Sequence, residues 1–544
     1  MGKTVIDKRF RSVFVASIAS MTISYVLILT DSVAAGQFIG DEAVAAMTLV
    51  SPIMTMVTFL SYMVADGLAM MFSYAKGKND QNKANELFGM GAICSVVTGG
   101  LVTFILVVFQ NEILSMWDIS PEMMNYAVEY YHGLMFVPIP CILNIFFYTI
   151  YVAEGEENIC VRASTAMFVV NLILDVVLGY KIGVIGIGVA TTVGNLVSFL
   201  YHVPYLFSEN CRLRFVKYWN GSEFWQGIFY SWYHSMDTLY LALLPIVFSE
   251  FVIFRFGENY LIVVTVIVNM LTLLIALYTG IVDCLQPMIC QYHAEGALKS
   301  VIKTMRLGIG STIALTLILI AFAFVFAEFL PGLFGVKSGE QLYSEAVWAV
   351  RIFMPFTIFL GATLMFSNYY IYIERLNLGA LIKTLLLFIL PCTGMFLGYF
   401  GLKFMWVGVG LSFIVALILN WLLTRKKFGL LLIDVKESAR QFSFDTTTAQ
   451  ENLPKLRILL DEYLSKVKLS QSRLIAELTE ELFKIYAIRP KKFELEVTII
   501  PGERTTLIFR ENGEPQAPQS PLLDRIREKN YMISGDENKL VVVV

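Results

Sequence analysis

Charge is scarce in this 544-residue chain: Asp, Glu, Lys and Arg make up 16% of it against 57% hydrophobic residues, and its mean hydropathy is +0.66. Soluble globular proteins carry about a quarter charged residues, so the composition excludes that class and describes a polytopic membrane protein. A net charge of −3 offers no basic surface for nucleic acid. The seven cysteines (Cys94, Cys141, Cys160, Cys211, Cys284, Cys290, Cys392) show no CxxC spacing and mostly sit inside apolar runs. Neither a metal site nor a disulfide framework is expected, and they read as reduced packing residues. The four histidines are scattered without triad or metal-ligand spacing, which leaves an enzyme no candidate machinery and no cofactor site. The N-terminus MGKTVIDKRFR runs into a full-length apolar stretch with no short signal-type segment or small-residue cleavage site, so the first helix is expected to be retained.

Long apolar runs are what the chain does have. They lie near 12–36, 46–74, 87–110, 125–153, 161–180, 184–207, 232–256, 260–291, 303–329, 344–373, 378–400 and 403–424. Each approaches or exceeds the roughly 20 residues of a membrane span, so an all-α body of twelve transmembrane helices is predicted, with the lipid bilayer as its surroundings. Basic residues cluster at Lys3, Lys8, Arg9 and Arg11, at Lys76, Lys78 and Lys83, at Arg212, Arg214 and Lys217, at Lys299 and Lys303, and at Arg425, Lys426 and Lys427. These are the termini and the even-numbered connections, whereas the odd ones carry few bases (Lys181, Lys337, Lys403). The positive-inside rule then puts both termini in the cytoplasm, as for a plasma-membrane protein of bacterial type.

The two halves repeat. SYMVADGLAMMFSYAKGKND (61–80) resembles LYTGIVDCLQPMICQYHAEGA (277–297), placing Asp66 opposite Asp283, 217 positions on (283 minus 66). The same offset pairs Gly40 with Gly257, Gly91 with Gly308 and Pro138 with Pro355. Two six-helix halves, parallel because six is even, are predicted over 1–215 and 216–428; transporters of this build hold substrate between lobes and rock. Prolines within the spans (Pro52, Pro138, Pro140, Pro245, Pro287, Pro355, Pro391) kink helices and are candidate hinges.

Asp31 stands at the tail of an uncharged run from Val13 to Leu29. Either it ends a helix at the interface, or it is an intramembrane carboxylate needing a partner, water or a proton, at about 2.5 to 3.5 kcal/mol if left alone. TDSVAAGQFIGDEAVAAMTLVSP, SYAKGKNDQNKANELFGMG and, in the second half, LQPMICQYHAEGALKSVIKTMRLGIG resemble the multidrug and toxic compound extrusion (MATE) transporters, especially the MepA-like branch, over roughly residues 10–425. That resemblance implies an antiporter that expels organic, often cationic, compounds in exchange for sodium ions or protons. It also implies a cation site of Asp31, of Asn171 and Asp175 in NLILDVVLGY, and of Thr191, with Thr192 beside it. Asn171 and Asp175, four apart, share one helix face, and such an all-oxygen set suits a hard cation or a shared proton. In the second half the resemblance implies a coupling acid at Glu250, although Arg255 five residues on offers it an ion pair. Some family members carry an acid in the tenth helix, but GATLMFSNYYIYIERLNLG has none before Glu374, close to the cytoplasmic end. Asp66 and Asp283 are candidates for the cavity or for capping helix bends. The 23 Met, 41 Phe and 26 Tyr provide apolar surface for varied cations.

Beyond about Gly429 the chain turns charge-rich, and a cytoplasmic α+β domain is predicted over 429–544. ENLPKLRILLDEYLSKV and SQSRLIAELTEELFKIYAI read as amphipathic helices, and FELEVTII, TTLIFREN and NKLVVVV as strands. The order resembles the ATP-binding domain of anti-sigma-factor kinases and histidine kinases. That motif implies an acid followed four residues later by a magnesium-holding Asn. Here Glu480 is followed by Lys484 and Glu481 by Ile485, and Glu511 replaces the adenine-reading Asp before Asn512 and Gly513. A degenerate regulatory domain is therefore expected, with a protein or a weakly held nucleotide at Glu480, Asn512 and Gly513 as its partner. Competing readings are a flippase for lipid-linked saccharides, disfavoured by the acidic Asp31 and Asp175, and a transporter-like sensor signalling through the tail.

Overall fold

The computed structural model describes residues 4–115, 117, 120–209, 211–329, 341–426, 429–467, 469, 471–534 and 537–544. Lys3, Lys337 and Lys427 lie outside the described residues. Helices dominate: α1 Val5–Phe38, α2 Asp41–Gly77, α3 Gln81–Val108, α4 Gln110–Leu114, α5 Pro121–Leu134, α6 Pro138–Glu154, α7 Glu157–Ile182, α8 Val184–His202, α9 Gly221–Phe256, α10 Leu261–Ala294 and α11 Leu298–Val325. They continue with α12 Gln341–Phe353, α13 Thr357–Tyr372, α14 Leu376–Thr384, α15 Leu390–Met395 and α16 Leu402–Thr424. Ten helices are long and apolar enough to cross a membrane among the described residues, and α5 with α6, bent by 52°, makes an eleventh as a broken span. The helices outrun the apolar stretches that announced them because polar caps fix their ends. A capping box of Thr4 and Asp7 opens α1, and Asp80 and Asn220 cap α3 and α9.

The positions paired by the 217-residue offset can be followed in the backbone. Gly40 (φ 135°) and Gly257 (φ 97°) turn the chain between the first two helices of each half, in a left-handed region that only glycine enters freely. Pro138 starts α6, and Pro355 sits in the 3₁₀ turn ahead of α13. Of the candidate hinges, Pro52, Pro245 and Pro287 lie inside helices, whereas Pro391 begins a segment. The first half (α1–α8) meets the second (α9–α16) mainly through α1 and α2 against α9 and α10. The contact is closest toward the end of α2, where a Cβ on Gly67 would lie 1.8 Å from Gly227 O and one on Gly77 2.4 Å from Gln291 O. Only backbone-to-backbone packing of small residues permits such an approach.

The tail is a five-stranded antiparallel sheet: β1 Phe442–Thr447, β2 Glu494–Ile500, β3 Thr506–Glu511, β4 Glu528–Ser534 and β5 Glu537–Val543, in the order β1-β2-β3-β5-β4. It is preceded by α17 Val435–Arg440, and α18 Leu453–Lys466, α19 Ser472–Ile488 and α20 Pro521–Asp524 connect its strands. The two amphipathic helices α18 and α19 fall where the sequence puts them, but β1 and β4 are additional to the three strands expected. β4 (EKNYMIS) is largely polar, and β1 alternates only over Phe442–Asp445 before two threonines, too short a run to stand out. Alternate residues Phe444, Leu495, Val497, Leu507, Phe509 and Val542 form a core with Leu478 and Leu482 of α19. The opposite sheet face carries Glu496 and Arg510 and lies against the transmembrane body, on the side where α1 begins, α2 and α10 end and α11 begins. This is the side of the basic clusters.

Candidate functional site

Asp31 is not a helix end: α1 continues to Phe38. Packing of α1 and α8 against α7 brings it to Asn171, Asp175 and Thr191, and all four side chains are buried. Thr191 Oγ1 donates to Asp31 Oδ2 (3.2 Å). The Asn171 amide nitrogen, in the orientation that satisfies its neighbours, donates to Asp31 Oδ1 (3.2 Å) and Asp175 Oδ2 (3.0 Å), while its oxygen accepts from the Thr191 backbone N–H (3.3 Å). One amide thus joins two carboxylates, which themselves lie within hydrogen-bonding reach of each other. Asp175 Oδ1 is buried with no partner among the described residues. Thr192 is spent on backbone, donating to Gly133 O (2.8 Å) and Gly188 O (3.1 Å).

No Lys or Arg among the described residues forms an ion pair with either carboxylate. Two unneutralised anions side by side at membrane depth cost several kcal/mol. The stable occupied forms are a proton shared by the pair or a hard cation bound by carboxylate, amide and hydroxyl oxygens. The donor set fits both. The site has no image in the second half, where 217 positions on from Asp31, Asn171, Asp175 and Thr191 stand Phe248, Phe388, Cys392 and Gly408.

Asp66 and Asp283 meet at a second place, between the halves. A cavity of about 180 Å³ is lined by Tyr62, Asp66, His234, Asp237 and Asp283. His234 Nδ1 bonds Asp66 Oδ2 (2.9 Å) and its Nε2 bonds the Tyr372 hydroxyl (2.9 Å). Lys383 Nζ donates to the His234 carbonyl and to Asn368 Oδ1 (2.9 Å). Sequence reading passed over His234, Asp237 and Lys383, although a lone lysine inside LGALIKTLLLFIL is the kind of buried ionisable group that marks a functional interior. Glu250 is exposed and forms no ion pair with Arg255 among the described residues. Arg255 instead donates to Tyr399 O (3.2 Å), and the two side chains share no site. Glu374 accepts from Tyr230 (3.1 Å).

In the tail, Glu480 holds Arg457 (Nε at 2.7 Å), and Glu481 accepts from Ser520. Asn512 exchanges hydrogen bonds with Glu494, through Oδ1 to its backbone N–H (2.9 Å) and Nδ2 to its carboxylate (2.6 Å). Glu511 is engaged by Arg489 (2.6 Å), whose guanidinium stacks on Tyr486 and Phe493. Gly513 packs against Phe493. The residues that a nucleotide would need are satisfied by one another.

The family described as MatE matches residues 16–177, which carry Asp31, Asn171 and Asp175. The chain is similar to the multidrug export protein MepA of Staphylococcus haemolyticus (strain JCSC1435), 24% identical over 178 residues, 32% of this chain and 39% of that protein. It is also similar to the probable multidrug resistance protein YoeA of Bacillus subtilis (strain 168), 23% identical over 196 residues, 35% and 42% of the two. These matches span about two fifths of the curated relatives. The fold is shared more widely. A MOP superfamily transporter from Pyrococcus furiosus, described by the reverse polarity of its binding pocket, superposes with a TM-score of 0.72 at 18% identity, over 79% of this chain and 97% of that one. A MATE transporter in the bent conformation gives 0.71 at 20% identity over 80% and 98%. The MatE match over residues 16–177, the similarity to the two curated proteins and the shared helical fold thus agree in likening this chain to the MATE transporters.

Proposed function

We propose that the protein is an antiporter that exports organic, positively charged compounds in exchange for sodium ions or protons, by alternating access between two lobes. The observation that carries this reading is the pair Asp31 and Asp175, joined by Asn171 and left without a basic partner, with Asp175 Oδ1 unpaired. A site that must be neutralised by an ion from solution is one whose occupancy an ion gradient can drive. Counting α1 as the first span and α12 with α13 as the tenth makes twelve helices in two six-helix repeats, residues 1–215 and 216–428, followed by the 429–544 tail. The matched glycine turns at Gly40 and Gly257 support the repeat. The basic clusters support a cytoplasmic placement of the tail face and both termini. At about 180 Å³ the inter-half cavity is smaller than the 300–1,000 Å³ of drug-sized sites, so loading a substrate there requires the lobes to move apart. The acidic lining favours cations. Purified full-length protein in proteoliposomes, given sodium and proton gradients separately, should drive uptake or release of a fluorescent organic cation under at least one of them. Equal transport with both gradients collapsed would overturn the reading.

A further inference from the structure

On the tail side of the second half, a groove of about 580 Å³ opens between α11, α13, α16 and the segment leading into the tail. Met305, Ile309, Phe366 and Trp421 line it, with Leu431 and Ile433 of the connecting segment along one edge and the exposed Arg306 among its walls. Its depth in the bilayer can be read from α11. Lys303 Nζ bonds Asp445 of the tail (2.8 Å), so that turn lies in the aqueous layer. Arg306 is one turn further along the helix, at headgroup level, and Ile309 about 4.5 Å deeper, where acyl chains begin.

The groove is fixed rather than an accident of a loose connection. The Tyr369 hydroxyl donates to Leu431 O (2.6 Å) and that of Tyr370 to Leu430 O (3.0 Å), tying the connecting segment to α13. Among the residues that line the groove, Arg306 alone is charged. Arg306 has no ion pair or hydrogen bond among the described residues, and Arg425 lies 5.5 Å from the centroid of the Trp421 ring with no carboxylate partner there either. Asp434 and Lys436 flank the lining residue Val435 on either side and offset each other, so the positive charge at the groove is that of the two arginines. An apolar slot entered from the headgroup layer past uncompensated arginines matches a phosphate followed by an acyl chain. A zwitterionic lipid would bring its own cation against these guanidiniums.

We infer that this groove binds one anionic phospholipid of the tail-side leaflet, its phosphate held by Arg306 and Arg425 and one acyl chain laid against Met305, Ile309 and Phe366. The inference rests on the body spanning a membrane and not on what it transports. The lipid would fill the space between α11, α16 and the segment that leads to the tail, so its occupancy reports on the tail's attachment.

The test is native mass spectrometry of the full chain titrated with phosphatidylglycerol and with phosphatidylcholine of equal chain length. Phosphatidylglycerol should be retained about tenfold more tightly, with Arg306→Ala weakening it about fivefold and leaving phosphatidylcholine unchanged. Ile309→Trp, which fills the acyl slot while sparing both arginines, should lower retention of phosphatidylglycerol by a similar factor and covers the case of a poorly folded Arg306→Ala. Equal retention of the two lipids, or wild-type phosphatidylglycerol binding by both variants, would overturn the inference. So would full displacement by soluble glycerol phosphate, which would mark an anion site without a chain.

Discussion

Arg9 in the first helix and Glu537 in the last strand, 528 positions apart, form a buried ion pair of 2.9 Å. The same carboxylate accepts from Tyr292 of α10 (3.3 Å) and lies 3.3 Å from Arg510 Nε, so it touches both halves of the helical body and the tail at once. Arg510, fully buried, also pairs with Glu295 at the end of α10 and with Glu496 of β2 (2.7 Å). Lys539 reaches Glu295 (2.7 Å) and, across the boundary, Lys76 O (3.2 Å). Charges at this burial are stable only with every partner in place. Opening the tail face must therefore either break the network or carry the tail away with one half.

The first expectation is that the tail brakes transport without powering it. A chain ending at Arg440 should still export and at a higher rate, the coupling being worth about 1 to 3 kcal/mol, or roughly 5- to 150-fold. Glu537→Ala, which leaves Arg9 and Arg510 each short of a carboxylate, should move the rate in the same direction. Proteoliposome flux is the readout. Complete loss of transport in folded, truncated protein would refute the brake, as would a rate identical to that of the full chain.

Acidification should weaken the docking. Burial alone would raise the Glu295 carboxyl, but Arg510 and Lys539 outweigh it and hold it below its ordinary value of 4.5. A carboxyl depressed in the folded state stabilises at pH above its unfolded value, and that contribution is lost as pH falls through the folded one. The Glu295 contribution to docking is therefore complete at pH above about 4.5 and is lost as pH falls below it. Glu295→Gln should remove this acid-sensitive component. Limited proteolysis of the tail across that range checks it.

Neutralising the acidic pair should uncouple export. Asp31→Asn and Asp175→Asn should each abolish gradient-driven transport while leaving folded protein in the membrane. Thr191→Val removes one hydrogen bond to a carboxylate, worth about 1.5 to 3 kcal/mol, and should weaken coupling-ion affinity about tenfold or more without abolishing transport. Ion titration of flux separates the two classes. Wild-type rates in either Asn variant would rule out coupling there.

The membrane body was legible because its signals are long. Apolar runs give the spans, and Gly40 and Gly257 at one offset are both legible as turns, since a left-handed turn tolerates little else. The convergence of Asp31 with Asn171 and Asp175 was legible only in part. The i, i+4 spacing puts two of them on one face, but which helix faces them depends on packing between α1 and α7 that no local pattern encodes. His234 and Lys383 were missed for the same reason, as their partners Asp66, Tyr372 and Asn368 are 15 to 168 positions away. The sheet face of the tail reads as ordinary polar alternation until its charges are seen to meet Arg9, Glu295 and Ser300.

Orientation can be checked from two exposed lysines. Lys78 lies on the tail face after α2, and Lys181 near the end of α7 on the opposite face. An impermeant thiol reagent applied to intact cells should label Lys181→Cys above the native-cysteine background and miss Lys78→Cys. The reverse pattern would put the tail outside.

The last expectation concerns the close approach of α2 to α9. Gly67 donates its backbone N–H to Ser231 Oγ (2.7 Å), and a Cβ there would stand 1.8 Å from Gly227 O, a backbone atom that cannot swing aside. Gly67→Ala should force the halves apart on the tail side at about 1 to 3 kcal/mol, the usual cost of overpacking. Asp66, one residue away and bonded to His234, would be pulled from its partner by the same displacement. Gly227→Ala is the control on the facing helix. Its Cβ would meet the Leu68 side chain at 3.0 Å, and a flexible tip can give, so its effect should be much smaller. Labelling of a cysteine at Thr238, which lines the cavity, with a reagent supplied from the tail side reads the opening directly. At about 1.4 kcal/mol per tenfold, Gly67→Ala should raise that labelling by roughly 5- to 150-fold. No increase, or an equal increase with Gly227→Ala, would mean that this glycine contact does not hold the tail face shut.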